Sequence, residues 1–239
     1  MNPQVSTQLT DKLTNYSVPL RAVEIIESTK IVFLVGITAA GKDTIIGELL
    51  KSGKYHYIVS HTTRKPRYNH SVLEQEGVEY HFIDLANAER MIDNQEFVEV
   101  KLVHDNIYGT SIAEIEAANN KSEIAITEIE VQGIAEYRAV SASVLPIFIL
   151  PPDFATWQER LVKRYSGNVD QADLSKRMAT AKLELSEALS KDYFEFVINH
   201  DLDKTITIVD RIAHGELSKE KNDQARAIAQ ELLDQLNQI

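Results

Sequence analysis

Read for the spacing of its apolar positions, the chain opens with a polar, weakly patterned stretch over residues 1–29. Pro19 divides it into a short helix candidate and a second one at Leu20–Ser28. Ile31-Val32-Phe33-Leu34-Val35 is then an unbroken β-branched and aromatic run, the texture of a strand covered on both faces. A glycine-containing loop follows, and Ile45, Ile46, Leu49 and Leu50 repeat at helical spacing within Thr44–Leu50. The buried-strand texture returns at Ile124–Ile129, Val144–Leu150 and Phe194–Ile198. Helical spacing occupies Ile112–Ala118, Asp153–Arg164, Leu174–Leu189 and Lys204–His214, with Asp153 placed as an N-cap after Pro151-Pro152. From Glu216 onward, Leu217, Ala225, Ile228, Ala229, Leu232, Leu233 and Leu236 mark one face of a last helix.

Strands separated by helices predict an α/β domain with a mostly parallel sheet flanked by helices. Between Ser60 and Thr110 the texture changes to short alternating segments, VEYHFID and EFVEV among them. These suit a small mixed or antiparallel sheet inserted in the core. No internal repeat or low-complexity tract interrupts the chain.

Composition narrows the function classes. With 239 residues, 44% of them hydrophobic and 26% charged, the chain is long enough for one sizeable core with appended pieces. No apolar run approaches the roughly 18–20 residues that span a bilayer, so no membrane partner is expected. The first residues lack the basic-then-apolar layout of a secretory signal, and cysteine is absent; a cytoplasmic location is the expectation. A net charge of −11 argues against general nucleic-acid binding and makes any local arginine cluster more informative. The seven histidines show no ligand spacing, so ordinary surface or core roles are expected of them.

The segment Gly36-Ile37-Thr38-Ala39-Ala40-Gly41-Lys42-Asp43-Thr44 runs from the apolar strand into the first strong helix. That context aims backbone N–H groups and the positive end of a helix dipole at one point, which favours a phosphate. Gly36 and Gly41 let the backbone wrap closely, and Lys42 would reach the terminal phosphates as a point charge. Where the usual pattern has a hydroxyl after the lysine, this chain has the carboxylate of Asp43. An acidic residue in a first helical turn is also favoured by the dipole alone.

Further along, SHTTRKPR sets Arg64 and Arg67 on either side of Pro66, able to fork onto one phosphate with Ser60 assisting. Tyr80, Glu99, Tyr108, Gly109 and Thr110 follow in VEYHF, EFVEV and IYGTS. Tyrosine hydroxyls complete phosphate shells, and a buried carboxylate accepts from the N–H edge of a base; each is equally suited to packing. Glu128 and Glu130 fall at alternate positions near a strand end, on one face, where ligands gather in open α/β sheets. Arg160, Arg164 and Arg177 flank the polar loop YSGNVDQADLSK around Gly167, the texture of a lid that carries charge to a phosphoryl group.

Taken in order, GxxxxGK, SHTTRKPR, GVEYHF, FVE, YGTS, EIEVQG, FILPP, ERLVKR with SKRM, and VINHDLD resemble guanylate kinase over residues 30–213. The resemblance implies a three-part nucleoside monophosphate kinase. Its P-loop core would be 30–59, 111–159 and 179–213, its mixed α/β GMP-binding insert 60–110 and its helical lid 160–178. Residues 1–29 and 214–239 would be extensions, the last helix either packing on its own domain or pairing terminal helices in a homodimer. It further implies that Ser60, Arg64, Arg67 and Tyr80 hold the GMP phosphate with Tyr108 and Gly109 beside them, and that Glu99, Thr110 and Glu128 read guanine. Lys42, Arg160, Arg164 and Arg177 would surround the transferred phosphoryl group. Thr38, Ala39 and Ala40 would line the ATP phosphates with the rest of the loop from Gly36 to Thr44, and Asn199 would lie near the adenine.

The implied reaction is magnesium-dependent transfer from ATP to GMP, with Asp43 contributing to the metal. Departures are Asp43 for the usual serine, Ala39 for a usual glycine, Val100 where many members have tryptophan, and a longer, acidic loop between Arg67 and Tyr80. The related ribose bisphosphate phosphokinases also carry an aspartate after the lysine. A phosphokinase with a drifted acceptor, such as a ribose phosphate, and a non-catalytic guanylate-kinase-like protein-binding module are therefore the alternatives. Retention of cations in all three segments weighs against the module.

Overall fold

The computed structural model describes residues 7–69, 72–164 and 171–238. Residues 165–170 of the expected lid loop, including Gly167, and the first six positions of the N-terminal extension lie outside the described residues, whereas Gln171–Lys176, read as the rest of that loop, are helical.

Along the chain, helices α1 (Thr7–Thr14) and α2 (Leu20–Ser28) precede strand β1 (Ile31–Val35), helix α3 (Lys42–Leu50) and strand β2 (Tyr55–Tyr57). Four short strands follow, β3 (His61–Thr62), β4 (Tyr68–Asn69), β5 (Val72–Leu73) and β6 (His81–Phe82). Helix α4 (Leu85–Asp93) leads to β7 (Phe97–Val103), β8 (Asn106–Ser111), α5 (Ile112–Lys121) and β9 (Ile124–Glu128). The remainder is α6 (Val131–Val140), β10 (Leu145–Leu150), α7 (Phe154–Arg164), α8 (Gln171–Leu189), β11 (Glu195–Ile198), α9 (Leu202–Ala213) and α10 (Lys219–Asn237). Ser111, Asp201 and Ser218 cap α5, α9 and α10 by accepting from backbone N–H groups of the first turn.

The chain divides into two compact units. One comprises Met1–Lys30 with His56–Ala125, the other Ile31–Tyr55 with Ile126–Ile239. The larger sheet has the order β11-β10-β1-β9-β2, and β1 and β11 both pair in parallel with β10. All five residues of β1 are buried, as its continuous apolar run requires. In the second unit, α10 packs on α8 and β11, burying Ala225, Ala229, Leu232 and Leu236. The leucine stripe read as either a packing or a dimer face is thus packed within its own unit. Leu217 lies before this helix and is exposed.

The first unit is built on a mixed four-stranded sheet of order β6-β3-β8-β7, with a separate β4-β5 ribbon. Strand β3 runs parallel to β6 and antiparallel to β8, and β8 is antiparallel to β7. Helix α4 interrupts the expected run of strands, its start fixed by Asp84, which accepts from Asn87 N. One further expectation fails. Glu130 does not share a strand face with Glu128: β9 ends at Glu128, and Glu130 is the residue before α6. The apolar spacing of Val131, Ile134 and Tyr137 carries the chain into a helix there instead.

Candidate active site

The second unit carries the phosphate loop. Gly36 and Gly41 sit at φ +140° and +100°, conformations that favour glycine. A β-carbon on Gly36 would run into the backbone oxygen of Ile149, and one on Gly41 into the Asn199 amide. Gly41 precedes α3 with no side chain capping the first turn, leaving those N–H groups for an anion. Ala39 takes φ +65° without being glycine.

Three side chains fasten the loop. The Lys42 ammonium donates to Gly36 O at 2.7 Å, folding across the loop it belongs to. Asn199 Nδ2 donates to Ala40 O at 2.8 Å, and the indole Nε1 of the fully buried Trp157 donates to Thr38 O at 2.8 Å. Arg160 extends this brace, its Nη2 donating to Asn199 O at 2.9 Å. Asn199 and Arg160, expected at the adenine and the transferred group, thus each have a donor engaged in holding the loop. Trp157 was not singled out from sequence, although a lone tryptophan before paired arginines was the available signal.

Around Lys42 the charges crowd. Arg164 Nη2 lies 3.7 Å from Asp43 Oδ2, and Arg177 pairs with Asp173 one turn earlier on α8 at 3.8 Å. Glu128 is beside Asp43 and Lys42; its side chain is exposed at the end of β9, while protein atoms surround the carboxyl on its inner side. That desolvation, then the neighbouring Asp43 carboxylate, pushes its pKa up to about 7. Burial likewise lifts Glu184 to about 7 against the pull of Lys42, so a second carboxyl near the lysine went unread in the sequence.

The first unit carries a different arrangement, centred on Arg64. Its side chain is 8% exposed. Nη1 and Nη2 donate to the two carboxylate oxygens of Glu74 at 2.7 and 3.0 Å, while Nε donates to Tyr108 Oη at 3.2 Å. The Tyr80 ring lies 5.2 Å from the guanidinium carbon, and Tyr80 meets Tyr108 edge-on at 5.9 Å. The fork expected to grip a phosphate is therefore spent largely on Glu74, a residue of the long acidic loop that sequence reasoning did not single out. Arg67 shares that carboxylate through its backbone, its N–H donating to Glu74 at 2.8 Å.

Glu99 and Thr110 are opposite one another in the β7–β8 ladder, and the Thr110 hydroxyl donates to Glu99 Oε1 at 2.9 Å. Ser60 Oγ is 3.4 Å from the same hydroxyl. Gly109 leaves room for this crossing: a β-carbon there would lie 2.8 Å from Glu99 O and 2.9 Å from the Phe97 ring. Glu114 steadies the neighbourhood, accepting from Val59 N at 2.9 Å and bonding His81 Nε2 at 3.0 Å. His61, stacked against His81, is pushed down to about 4 by burial and then by that neighbour. Among the described residues no group of three or more histidines or carboxylates is arranged to hold a metal.

The sequence model of the guanylate kinase family matches residues 28–216. The chain belongs to the guanylate kinase family. It is 36% identical over 192 residues to the guanylate kinase of Clostridioides difficile, covering 80% of this chain and 88% of that one. To the enzyme of Schizosaccharomyces pombe it is 30% identical over 210 residues, covering 85% and 94%. Guanylate kinase 1 of Oryza sativa is 35% identical over 180 residues, 74% of this chain; the chain spans less than half of that plant relative, 46% of its length. Among solved structures, the guanylate kinase of Anaplasma phagocytophilum superposes with a TM-score of 0.54 at 25% identity, covering 80% of this chain and 88% of that one. Within this guanylate kinase-family chain, residues 7–27 and 217–238 fall outside the family match yet are folded onto the two units. No described helix is long and apolar enough to cross a membrane.

Proposed function

We propose that the chain transfers the γ-phosphoryl group of ATP to GMP, yielding ADP and GDP. The observation that carries this reading is the Arg64 cluster beside the Glu99–Thr110 pair: a cation braced among tyrosines, next to a carboxylate and hydroxyl set in register. Arg64 and Arg67 would neutralise the GMP phosphate, with Tyr80, Tyr108 and Ser60 completing its shell. Glu99 would accept from the N1 and N2 donors of guanine, an edge adenine does not offer.

On the donor side, the uncapped first turn of α3 and Lys42 would hold the ATP phosphates, with Arg160, Arg164 and Arg177 the cations around the transferred group. Glu128, placed by the resemblance at guanine, lies in the structure among Asp43 and Lys42. Its neighbours favour a role in charge balance at the phosphates.

Magnesium fits this donor set. Desolvation first, and then the neighbouring Asp43 carboxylate, push the Glu128 carboxyl up, and a divalent ion held between the two hard carboxylates would relieve the second of these. Asp43 and Glu128 would hold the ion together with the nucleotide phosphates, and it would neutralise charge on the β- and γ-oxygens. Such an enzyme draws both substrates from the cytoplasmic nucleotide pool, which is where we place it.

The test is purified chain with ATP, magnesium and one acceptor at a time, GMP, AMP or a ribose phosphate, with products separated chromatographically. GDP formation with GMP alone is the expected result. GMP binding without GDP would instead leave a binding module, and turnover of the sugar phosphate a drifted phosphokinase.

A further inference from the structure

The N-terminal segment lies outside the family match, yet it is built into the acceptor-side unit. Leu9 of α1 has no exposed surface and belongs to one buried cluster with Met91, Ile92, Phe97, Val100 and Ile107. Lys12 pairs with Asp93 of α4 at 2.6 Å. Two residues beyond α1, the Tyr16 hydroxyl donates to Phe97 O at 2.7 Å and accepts from Phe97 N at 3.1 Å.

One phenol thereby satisfies both backbone groups of a single residue, as a neighbouring strand would. The location gives this meaning. Strand β7 is the edge of its sheet, and its ladder with β8 shifts register between Phe97 and Glu99. A bulge at a sheet edge re-aims the side chains that follow it, and an unsupported edge bulge slips readily. The Phe97 ring also lies against Gly109, whose neighbour Thr110 donates to Glu99. Tyr16 therefore fixes the step that sets both Glu99 and the strand facing it.

We infer that Tyr16 is a positioning residue for acceptor recognition, and that the N-terminal segment tunes selection of the guanine base. The inference rests on the reading of Glu99 and Thr110 as guanine contacts. Loss of the phenol oxygen leaves the aromatic packing in place but frees the Phe97 amide and carbonyl, so the bulge gains alternatives.

The experiment is Tyr16→Phe in the full chain, compared with wild type and with Leu9→Ala. The latter loosens the same cluster without touching the Phe97 backbone. Tyr16→Phe is expected to raise the KM for GMP about tenfold, the worth of one net hydrogen bond, while the KM for ATP stays within about twofold. Leu9→Ala is expected to lower the melting temperature and leave the KM for GMP near wild type at 25 °C. An unchanged KM for GMP in Tyr16→Phe, or an equal rise in both variants, overturns the proposal. Amide exchange is the independent readout: protection at Phe97–Val100 falls in Tyr16→Phe and holds in Leu9→Ala. If wild type makes no GDP, the kinase reading fails by itself, and positioning stands or falls on that exchange pattern alone.

Discussion

Glu74 grips both terminal nitrogens of Arg64, at 2.7 and 3.0 Å, while accepting from the backbone of Arg67 at 2.8 Å. One carboxylate thus ties together the two arginines of the SHTTRKPR segment. Solvent barely reaches either side chain, with exposures of 8% for Arg64 and 14% for Glu74. The pairing holds the Glu74 carboxyl below the usual carboxylate range and raises Arg64 further. A guanidinium held this way, with Nη1 also donating to Lys65 O at 2.9 Å, is fixed in orientation before any ligand arrives and keeps little donor capacity for a phosphate while Glu74 stays in place.

Glu74→Ala removes that brace and leaves a buried cation uncompensated, a loss of about 3 kcal/mol in unfolding free energy. Urea unfolding measures it. The KM for GMP is expected to rise about tenfold as Arg64 becomes free to turn. A lower KM would mean that Glu74 competes with the phosphate for the same nitrogens.

Ala39 at φ +65° is strained where glycine would not be. The left-handed conformation costs an L-residue about 1–2 kcal/mol, and glycine's freer unfolded chain offsets about half of the relief. Ala39→Gly is therefore expected to stabilise the protein by about 0.5 kcal/mol in chemical denaturation. A destabilised variant would show that the loop's fastenings to Trp157 and Asn199, not local backbone freedom, decide its cost.

Glu128 supplies a pH dependence whose sign can be worked out. Its pKa is raised on folding, from the ordinary 4.5 to about 7, so the folded protein holds the proton more tightly than the unfolded chain. That stabilisation is present below pH 4.5 and is lost as pH rises through 7. Glu128→Gln keeps the neutral shape at every pH. Without nucleotide, its melting temperature is expected to exceed wild type at pH 8 and to match it near pH 4.5. Parallel melting curves across that range would show that the desolvation of this carboxyl and its crowding by Asp43 are relaxed in solution.

What was legible in the sequence was whatever a local pattern controls. The buried run of β1, the bounds of α2 and the α/β order followed from apolar spacing, because a strand or helix face repeats within a few residues. Helix α4 was hidden because LANAERMID sits among alternating segments, and α6 because Gly133 and mixed polarity blur its face. The partnerships were less visible still. Glu74 with Arg64, Tyr16 with Phe97 and Asn199 with Ala40 join positions whose meeting depends on the path of the chain. Of the residues that brace these segments, Asn199 and Arg160 had been singled out from the sequence, while Glu74, Tyr16 and Trp157 had not.

Asp43 is the departure that most needs a measurement. Its ion pair with Arg164 spans 3.7 Å between side chains that are 62% and 51% exposed, too wet to be worth much by itself. Its nearer influence is on Glu128, whose desolvated carboxyl it helps to push up. Phosphates arriving at the loop add to that repulsion, by about 1–4 kcal/mol for a charge pair some 4 Å apart in wet surroundings. A divalent ion reverses the sign, since carboxylates are strong ligands for it. ATP affinity is therefore expected to depend steeply on magnesium in wild type and far less in Asp43→Asn, where one of the competing charges is gone. Calorimetric titration of ATP with magnesium and with chelator, on both proteins, gives the comparison. Equal affinities with and without magnesium in wild type would sink this account and leave Asp43 as a first-turn residue favoured by the helix dipole alone.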